Sequence, residues 1–489
     1  MNAGSKIRSV PFGLRRELLS EDALDSVHRA TMALLERVGI AVNSTRTLEA
    51  LDGSGARVDL QAGRIRFPSQ MVAEAIALAP RTFLMAGRDP DLDCPVDGTR
   101  SYLSLDGTTA DIVDLETGVK RRSTKRDLEE ATRVADALPE IAYLWPCVAI
   151  ADVPVELQPL HQLEAQFANS GKHIQAMSIF SREDALWAVE IARAIAGGDE
   201  ALRKRPIISS YQCSLSPLTY DAGPIEAAVA FAEAGVPSGF VAMAVATATA
   251  PTTLAGYLVQ ANAEILGGIT ILETLVPGAA TFYGPYAAFM DLWSGALNLA
   301  WGPQEAKFHL AAAQLARRYD LPLNIGAFGT GAKTSDWQAG VQNTVSVATA
   351  LLAGADMICA CGTLYASSVF SFEQLLLDAE MFDLVAGGAE AFPVSDEDLA
   401  LDVIEEVGPG EHFLAHAHTS AHMRELWMPR FLRSETWEAW DAAGRPEPKD
   451  RAREKARAIL AEHTPLPLDE GVAKELLRII GKREAELAT

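Results

Sequence analysis

The chain has 489 residues, 49% of them hydrophobic, which is enough for one large barrel with additions or for two to three domains around a sizeable core. Forty-two Lys and Arg stand against 65 Asp and Glu, and the formal net charge of −23 argues against nucleic acid and anionic membranes as partners. The five cysteines form no CxxC pair, so neither a disulfide framework nor a cysteine zinc site is indicated.

The opening Met-Asn-Ala-Gly-Ser-Lys lacks the apolar core of a secretion signal, and a cytoplasmic protein is expected. Residues 1–98 read as an N-terminal α+β cap. Ser20 opens a helix with Leu24, Val27, Thr31, Leu34 and Val38 on one face, and Ser44 and Ser69 have the character of N-caps for two more. Residues 58–67 read as a hairpin turning at Gln61-Ala-Gly63.

From Ser101 the pattern becomes strand then helix, with candidate strands at 102–105, 143–149, 173–177, 207–213, 239–245, 280–283, 323–327 and 357–360. Eight such units are the number that closes a (β/α)8 TIM barrel, here spanning 99–390, with chemistry expected in the loops that follow the strands. A doubly wound open sheet is the competing architecture, but no G-x-G-x-x-G follows any strand and dinucleotide binding is unsupported. The most hydrophobic region, 237–277, is broken by Thr, Asn, Glu and Pro; it lacks the ~20 apolar residues of a membrane span and reads as buried barrel wall.

Two helices are well signalled. Pro303 suits a first helical position, and Phe308, Ala312, Leu315 and Tyr319 recur on one face before Arg317 and Arg318 fill the last turn. Ser335 with Gln338 forms a capping box for the next helix, whose expected core face is Val341, Val345, Ala348 and Leu352, and Gly354 ends it. The stretch from Gly329 to Asp336 is therefore a polar loop. Beyond it, 391–489 reads as a C-terminal helical extension, with an aromatic segment of Trp427, Phe431, Trp437 and Trp440.

Several constellations bear on chemistry. Tyr283, Tyr286, Phe289, Trp293 and Trp301 fall within twenty residues beside Asp291, after the sixth strand. Ring faces attract desolvated cations at ~2 kcal/mol per good contact, so this is a candidate cage, against the ordinary reading of core packing or a hydrophobic lid. His412, His416, His418 and His422 have no HExxH arrangement and lie beyond the eight units, so they read as structural and no metal is assigned. Lys333 and Asp336 stand at the mouth after the seventh strand, where a Schiff-base lysine could sit, although a polar loop suits a substrate-orienting role better. Cys359 and Cys361 share one side of the eighth strand, with apolar filling as the default.

Blocks across 110–445 resemble the trimethylamine methyltransferase superfamily: Asp114-Leu-Glu-Thr-Gly118, Ala135-Asp-Ala-Leu-Pro139, Tyr283-Gly-Pro, Met290-Asp-Leu-Trp-Ser-Gly295, Ala312 to Arg317, Ala332 to Gly340, Leu352 to Asp356, Ser371 to Asp378, Phe413 to Thr419 and Trp427 to Arg430. The resemblance implies a TIM barrel that moves a methyl group from a methylamine to the cobalt(I) of a corrinoid protein docked at the barrel mouth. It implies no tightly bound cofactor, since the corrinoid, or methylcobalamin, belongs to the partner.

Archaeal trimethylamine enzymes of this kind carry pyrrolysine. Only ordinary residues occur here, so the chain resembles the branch that uses glycine betaine and related quaternary amines. The matching blocks further imply Tyr283, Phe289 and Trp293 for the cage, Asp291 facing or supporting the cation, and Gln175, Gln212, Lys333 and Asp336 for the substrate's polar end, with Asp291, Lys333 and Asp336 as the catalytic candidates and Tyr286 and Cys359 as further substrate-binding ones. Glycine betaine enzymes often place a His in the eighth strand, where this chain has Cys359 or a neighbour. A homo-oligomer is expected. The alternatives are a Schiff-base barrel lyase or aldolase using Lys333, and a non-catalytic methylamine-binding homologue.

Overall fold

The structure, a computed structural model, describes residues 6–13, 15–177, 179–300 and 302–488. Its centre is a ring of eight parallel strands: β1 (Arg100–Leu105), β2 (Ile141–Leu144), β3 (His173–Ala176), β4 (Ile208–Cys213), β5 (Ser238–Ala242), β6 (Tyr283–Pro285), β7 (Asn324–Gly326) and β8 (Met357–Cys361). Hydrogen-bonded neighbours run from β6 down through β1 and on to β8 and β7. A parallel bridge between Tyr283 and Leu323 closes the circle. A closed barrel leaves no free strand edge, and its strands are buried on both faces, which is why they appear in sequence as short apolar runs. The sixth strand begins at Tyr283 instead of ending there, and the second stops at Leu144.

Each strand is followed by a helix: α1 (Lys125–Ala137), α2 (Gln158–Asn169), α3 (Arg182–Ala196), α4 (Ala222–Glu233), α5 (Leu254–Leu275), α6 (Pro303–Tyr319), α7 (Trp337–Ala353) and α8 (Phe372–Ala389). Pro303 opens α6, and Phe308, Ala312, Leu315 and Tyr319 are all buried, as the periodicity predicts. The α7 expectation needs correction. Asp336, not Ser335, caps this helix, its Oδ1 accepting the N–H groups of Gln338 (2.9 Å) and Ala339 (3.3 Å). Its buried face carries Asn343, Ser346, Val347 and Ala350, while Val341 and Val345 are exposed.

The hydrophobic stretch 237–277 holds β5 and α5. Helix α5 is buried almost throughout because the helices Glu21–Arg37 and Ser69–Leu78 pack over its outer side. No helix among the described residues is long and apolar enough to cross a membrane. The hairpin over residues 57–66 forms as expected, its strands Arg57–Asp59 and Arg64–Arg66 antiparallel.

A second hairpin, Phe83–Met85 with Cys94–Val96, closes the N-terminal end of the barrel. Phe83 stacks on Phe282 at 6.2 Å, and the carbonyl of Ala86 meets the His173 Nδ1 at 3.1 Å. Gly239 is required here, since a Cβ at that position would stand 2.2 Å from the Phe282 ring. In the tail, Pro448–Glu462 packs on α8 and α1, and Glu470–Leu487 on α3 and α2.

Candidate active site

Alternation along the strands aims every second side chain into the barrel, and these side chains stack in layers toward the C-terminal end. In the lower layer Ser209 lies 2.8 Å from His173 Nε2 and accepts from Gln175 Nε2 at 3.2 Å. The Ala86 carbonyl takes the Nδ1 proton, so His173 Nε2 accepts from Ser209, and burial holds the imidazole neutral with its pKa pushed down to about 3.

Above this lies a slab of near-parallel rings. Trp145 stacks on Tyr211 at 4.9 Å and 23°, and Tyr211 on Tyr286 at 6.2 Å and 28°. The Tyr286 hydroxyl is pinned from below, 3.1 Å from Asn324 Oδ1 and 2.7 Å from Cys359 Sγ. Gly326 permits this placement, because a Cβ there would crowd the Tyr286 ring at 3.2 Å.

On the slab rests a cavity of about 180 Å³, with Asp106, Tyr211 and Tyr286 in its lining. Met243 and Leu297 also line it, and each is more than a third exposed, which marks where the cavity meets solvent. Asp106 follows β1 directly and is 8% exposed. Its Oδ1 accepts the Gly107 N–H at 2.8 Å and its Oδ2 the Thr363 hydroxyl at 3.3 Å. Burial raises its pKa, and the hydrogen bonds from Ser367, Gly107 and Thr363 offset part of that rise.

Behind the wall, the lining residue Ser346 donates to Glu305 Oε1 at 2.5 Å. The same oxygen is 3.2 Å from His309 Nδ1, while His309 Nε2 accepts the Ala287 N–H at 3.3 Å. The Ala287 N–H thereby finds its acceptor in His309 Nε2, which ties the loop that carries Tyr286 to α6.

The residues singled out in the sequence scatter around this centre. Tyr286 lines the cavity, and Gln175 faces the lumen two layers lower. Cys359 lies beneath the ring slab, its thiol pushed well up by burial and shielded from the cavity by Tyr286. The three-ring cage of Tyr283, Phe289 and Trp293 does not form. Tyr283 points outward and donates to Asn262 of α5 at 2.9 Å, because residues three apart on a strand face opposite sides. Phe289 packs edge-on against Tyr257 at 5.9 Å. Trp293 is 97% exposed on the tip of the hairpin Ala288–Met290 and Leu297–Asn298. Trp301 lies outside the described residues.

Asp291 is a turn residue that accepts from the Trp293 N–H at 2.8 Å and the Ser294 hydroxyl at 3.0 Å, and it does not line the central cavity. Gln212 faces the helix layer and donates to Ser210 at 2.9 Å. Lys333 turns back on the Gly331 carbonyl at 2.7 Å and sits 4.7 Å over the Tyr365 ring, beside a separate cavity of about 360 Å³. Asp336 is consumed as the α7 cap. Of the four histidines, His416 is 3.4 Å from Glu406 and His422 is 3.0 Å from Glu425.

The trimethylamine methyltransferase (MTTB) family model matches residues 7–488. A trimethylamine methyltransferase MttB of Desulfitobacterium hafniense is 33% identical over 475 residues, covering 97% of this chain and 95% of that protein. A glycine betaine methyltransferase of the same species, strain Y51, is 31% identical and covers 96% of this chain and 98% of its own length. The trimethylamine methyltransferase MttB of Methanosarcina barkeri strain Fusaro is 30% identical, with 96% of each chain covered. Among solved structures, the Methanosarcina barkeri monomethylamine methyltransferase superposes with a TM-score of 0.55 at 12% identity, covering 91% of this chain and 88% of its own, which supports the barrel fold.

Proposed function

The chain belongs to the trimethylamine methyltransferase family, and on that premise we propose that it transfers a methyl group from a quaternary amine, held in the central cavity, to a corrinoid carried by a partner protein. The observation that carries this reading is the small cavity itself, with an aromatic floor of Tyr211 and Tyr286 and the buried carboxylate Asp106 in its wall. Ring faces and a carboxylate are both attractive to a desolvated ammonium.

A quaternary nitrogen leaves as a neutral amine: the C–N electron pair stays on nitrogen, and no proton moves. The corrinoid supplies the electron pair for the new bond to carbon. What is asked of this chain is to hold the cation dry and aim one methyl outward, and placement of that kind supplies about 7–11 kcal/mol in well-oriented reactions. The lysine-based lyase has little to stand on, since the Lys333 ammonium is engaged outside this cavity.

The rim suits a docking partner. Next to the opening at Met243 and Leu297, the hairpin tip presents Leu292 and Trp293, 73% and 97% exposed. The test is to incubate the purified protein with a panel of quaternary amines and reduced cobalamin or its carrier protein, following methylated cobalamin by absorbance. Turnover with at least one quaternary amine is expected. A panel that is silent while trimethylamine or dimethylamine reacts would overturn the reading.

A further inference from the structure

We propose that the central cavity selects an amine cation with no carboxylate beside its nitrogen, and that Asp106 serves as its counter-ion and sets this specificity. The inference rests on the quaternary-amine reading above and narrows it.

Among the described residues no Lys, Arg or His side chain lines the cavity, and Asp106 is its only carboxylate. Nothing on Asp106 carries positive charge: its donors are one backbone N–H and the hydroxyls of Thr363 and Ser367. A buried carboxylate without a cationic partner is an expensive arrangement, and it becomes favourable once a cation enters beside it. The cavity holds about 180 Å³. That is below the about 300–1,000 Å³ of drug-sized sites, so the ligand is small and all of it sits close to Asp106.

The same geometry works against glycine betaine. Its carboxylate is one methylene from the nitrogen, so caging the ammonium brings a second negative charge into the field of Asp106. Two of the neighbouring hydroxyls are already engaged. Ser346 already donates to Glu305, and the Tyr286 hydroxyl is held between Asn324 and Cys359. Lys333, the lysine of the loop after β7, lines a separate cavity and is turned onto Gly331 and Tyr365.

Isothermal titration of the full-length protein with tetramethylammonium, choline and glycine betaine tests this directly. The two cations are expected to bind at least tenfold more tightly than the betaine. Asp106→Asn should lose at least tenfold for both cations and leave glycine betaine unchanged or improved, while Asp106→Glu keeps the wild-type order. Glycine betaine binding as tightly as choline to the wild type would overturn the inference and leave the quaternary-amine reading standing. Absence of binding by all three would overturn both. Equal losses for all three ligands in Asp106→Asn would assign Asp106 a structural role and also overturn it. The wild-type ranking decides the matter even where a variant fails to fold.

Discussion

Replacing Tyr286 by Phe and, separately, by Leu divides the ring's role from the hydroxyl's. The ring lines the cavity and stacks on Tyr211 at 6.2 Å, whereas the hydroxyl reaches Asn324 and Cys359 on the far side of the slab. Tyr286→Phe removes only the hydroxyl and leaves Asn324 Oδ1 with the weaker Cys359 thiol at 3.7 Å. Orphaning a buried acceptor costs ~1–3 kcal/mol, and the thiol keeps this case near the lower end. At roughly 2.1 cal/mol/K per residue, the 489 residues melting as one unit carry an unfolding entropy of about 1 kcal/mol/K, so Tm should fall by about 1–2 °C. Amine affinity should stay within about twofold. Tyr286→Leu loses the ring face, worth about 1–2 kcal/mol to a desolvated cation, which is a five- to thirty-fold weaker Kd. Calorimetric titration with tetramethylammonium and a thermal melt on each variant give both numbers. If Tyr286→Leu bound the cation as well as Tyr286→Phe, the aromatic floor would have no part in recognition.

Three other outcomes are expected. Trp293→Ala should leave amine affinity unchanged, since that ring is 97% exposed, and should reduce the rate of methyl transfer to the carrier protein; a tenfold loss of amine affinity would return Trp293 to the cavity. Gly239→Ala should destabilise the barrel by about 1–3 kcal/mol, read as a lower urea midpoint, because its Cβ would stand 2.2 Å from the buried Phe282 ring; an unchanged midpoint would mean that the sealed end is loosely packed. Glu273, in α5, has its pKa pushed up from 4.5 to about 7 by burial, so ionising it opposes folding: the cost is absent well below pH 4.5, grows as pH rises from 4.5 to about 7, and then levels off. Glu273→Gln should therefore raise Tm relative to the wild type at pH 8 and leave it unchanged at about pH 3.5, and an equal shift at both values would refute the assignment.

The barrel was legible because its physics is local. Strands buried on both faces read as short apolar runs, and Pro303, Arg317 and Arg318 signal the ends of α6 within a few residues of where they fall. The apolar pattern does not give the face of α7 because an inward side chain need not be apolar where it finds a polar partner, as Ser346 does in Glu305 and Asn343 in Asp378 of α8. Ser346 and Asn343 are turned inward, and Val341 and Val345 are left exposed.

The site was largely hidden because proximity in sequence is a poor guide to proximity in a barrel. Tyr283 and Tyr286 are three residues apart and face opposite sides, while Tyr286 finds its ring partner in Tyr211 of β4 and that ring's other neighbour in Trp145, just past β2. Asp106 with Gly107 has the composition of any turn, and only its position at the end of β1 sets it apart. Strand alternation applied across all eight strands could have found Tyr211; nothing short of the closed ring would have joined it to Asp106.

The hairpin that stoppers the barrel's lower end, with Phe83 against Phe282, leaves the central cavity its doorway at the other end, beside Met243 and Leu297. A visitor large enough to reach the methyl group would stand in that doorway. On the proposed reading the traffic has a compulsory order: the small cation goes in first, the carrier arrives second, and the demethylated amine waits for the carrier to depart. An excess of unloaded carrier should accordingly slow the turnover it serves, as a queue stalls when the next in line blocks the exit.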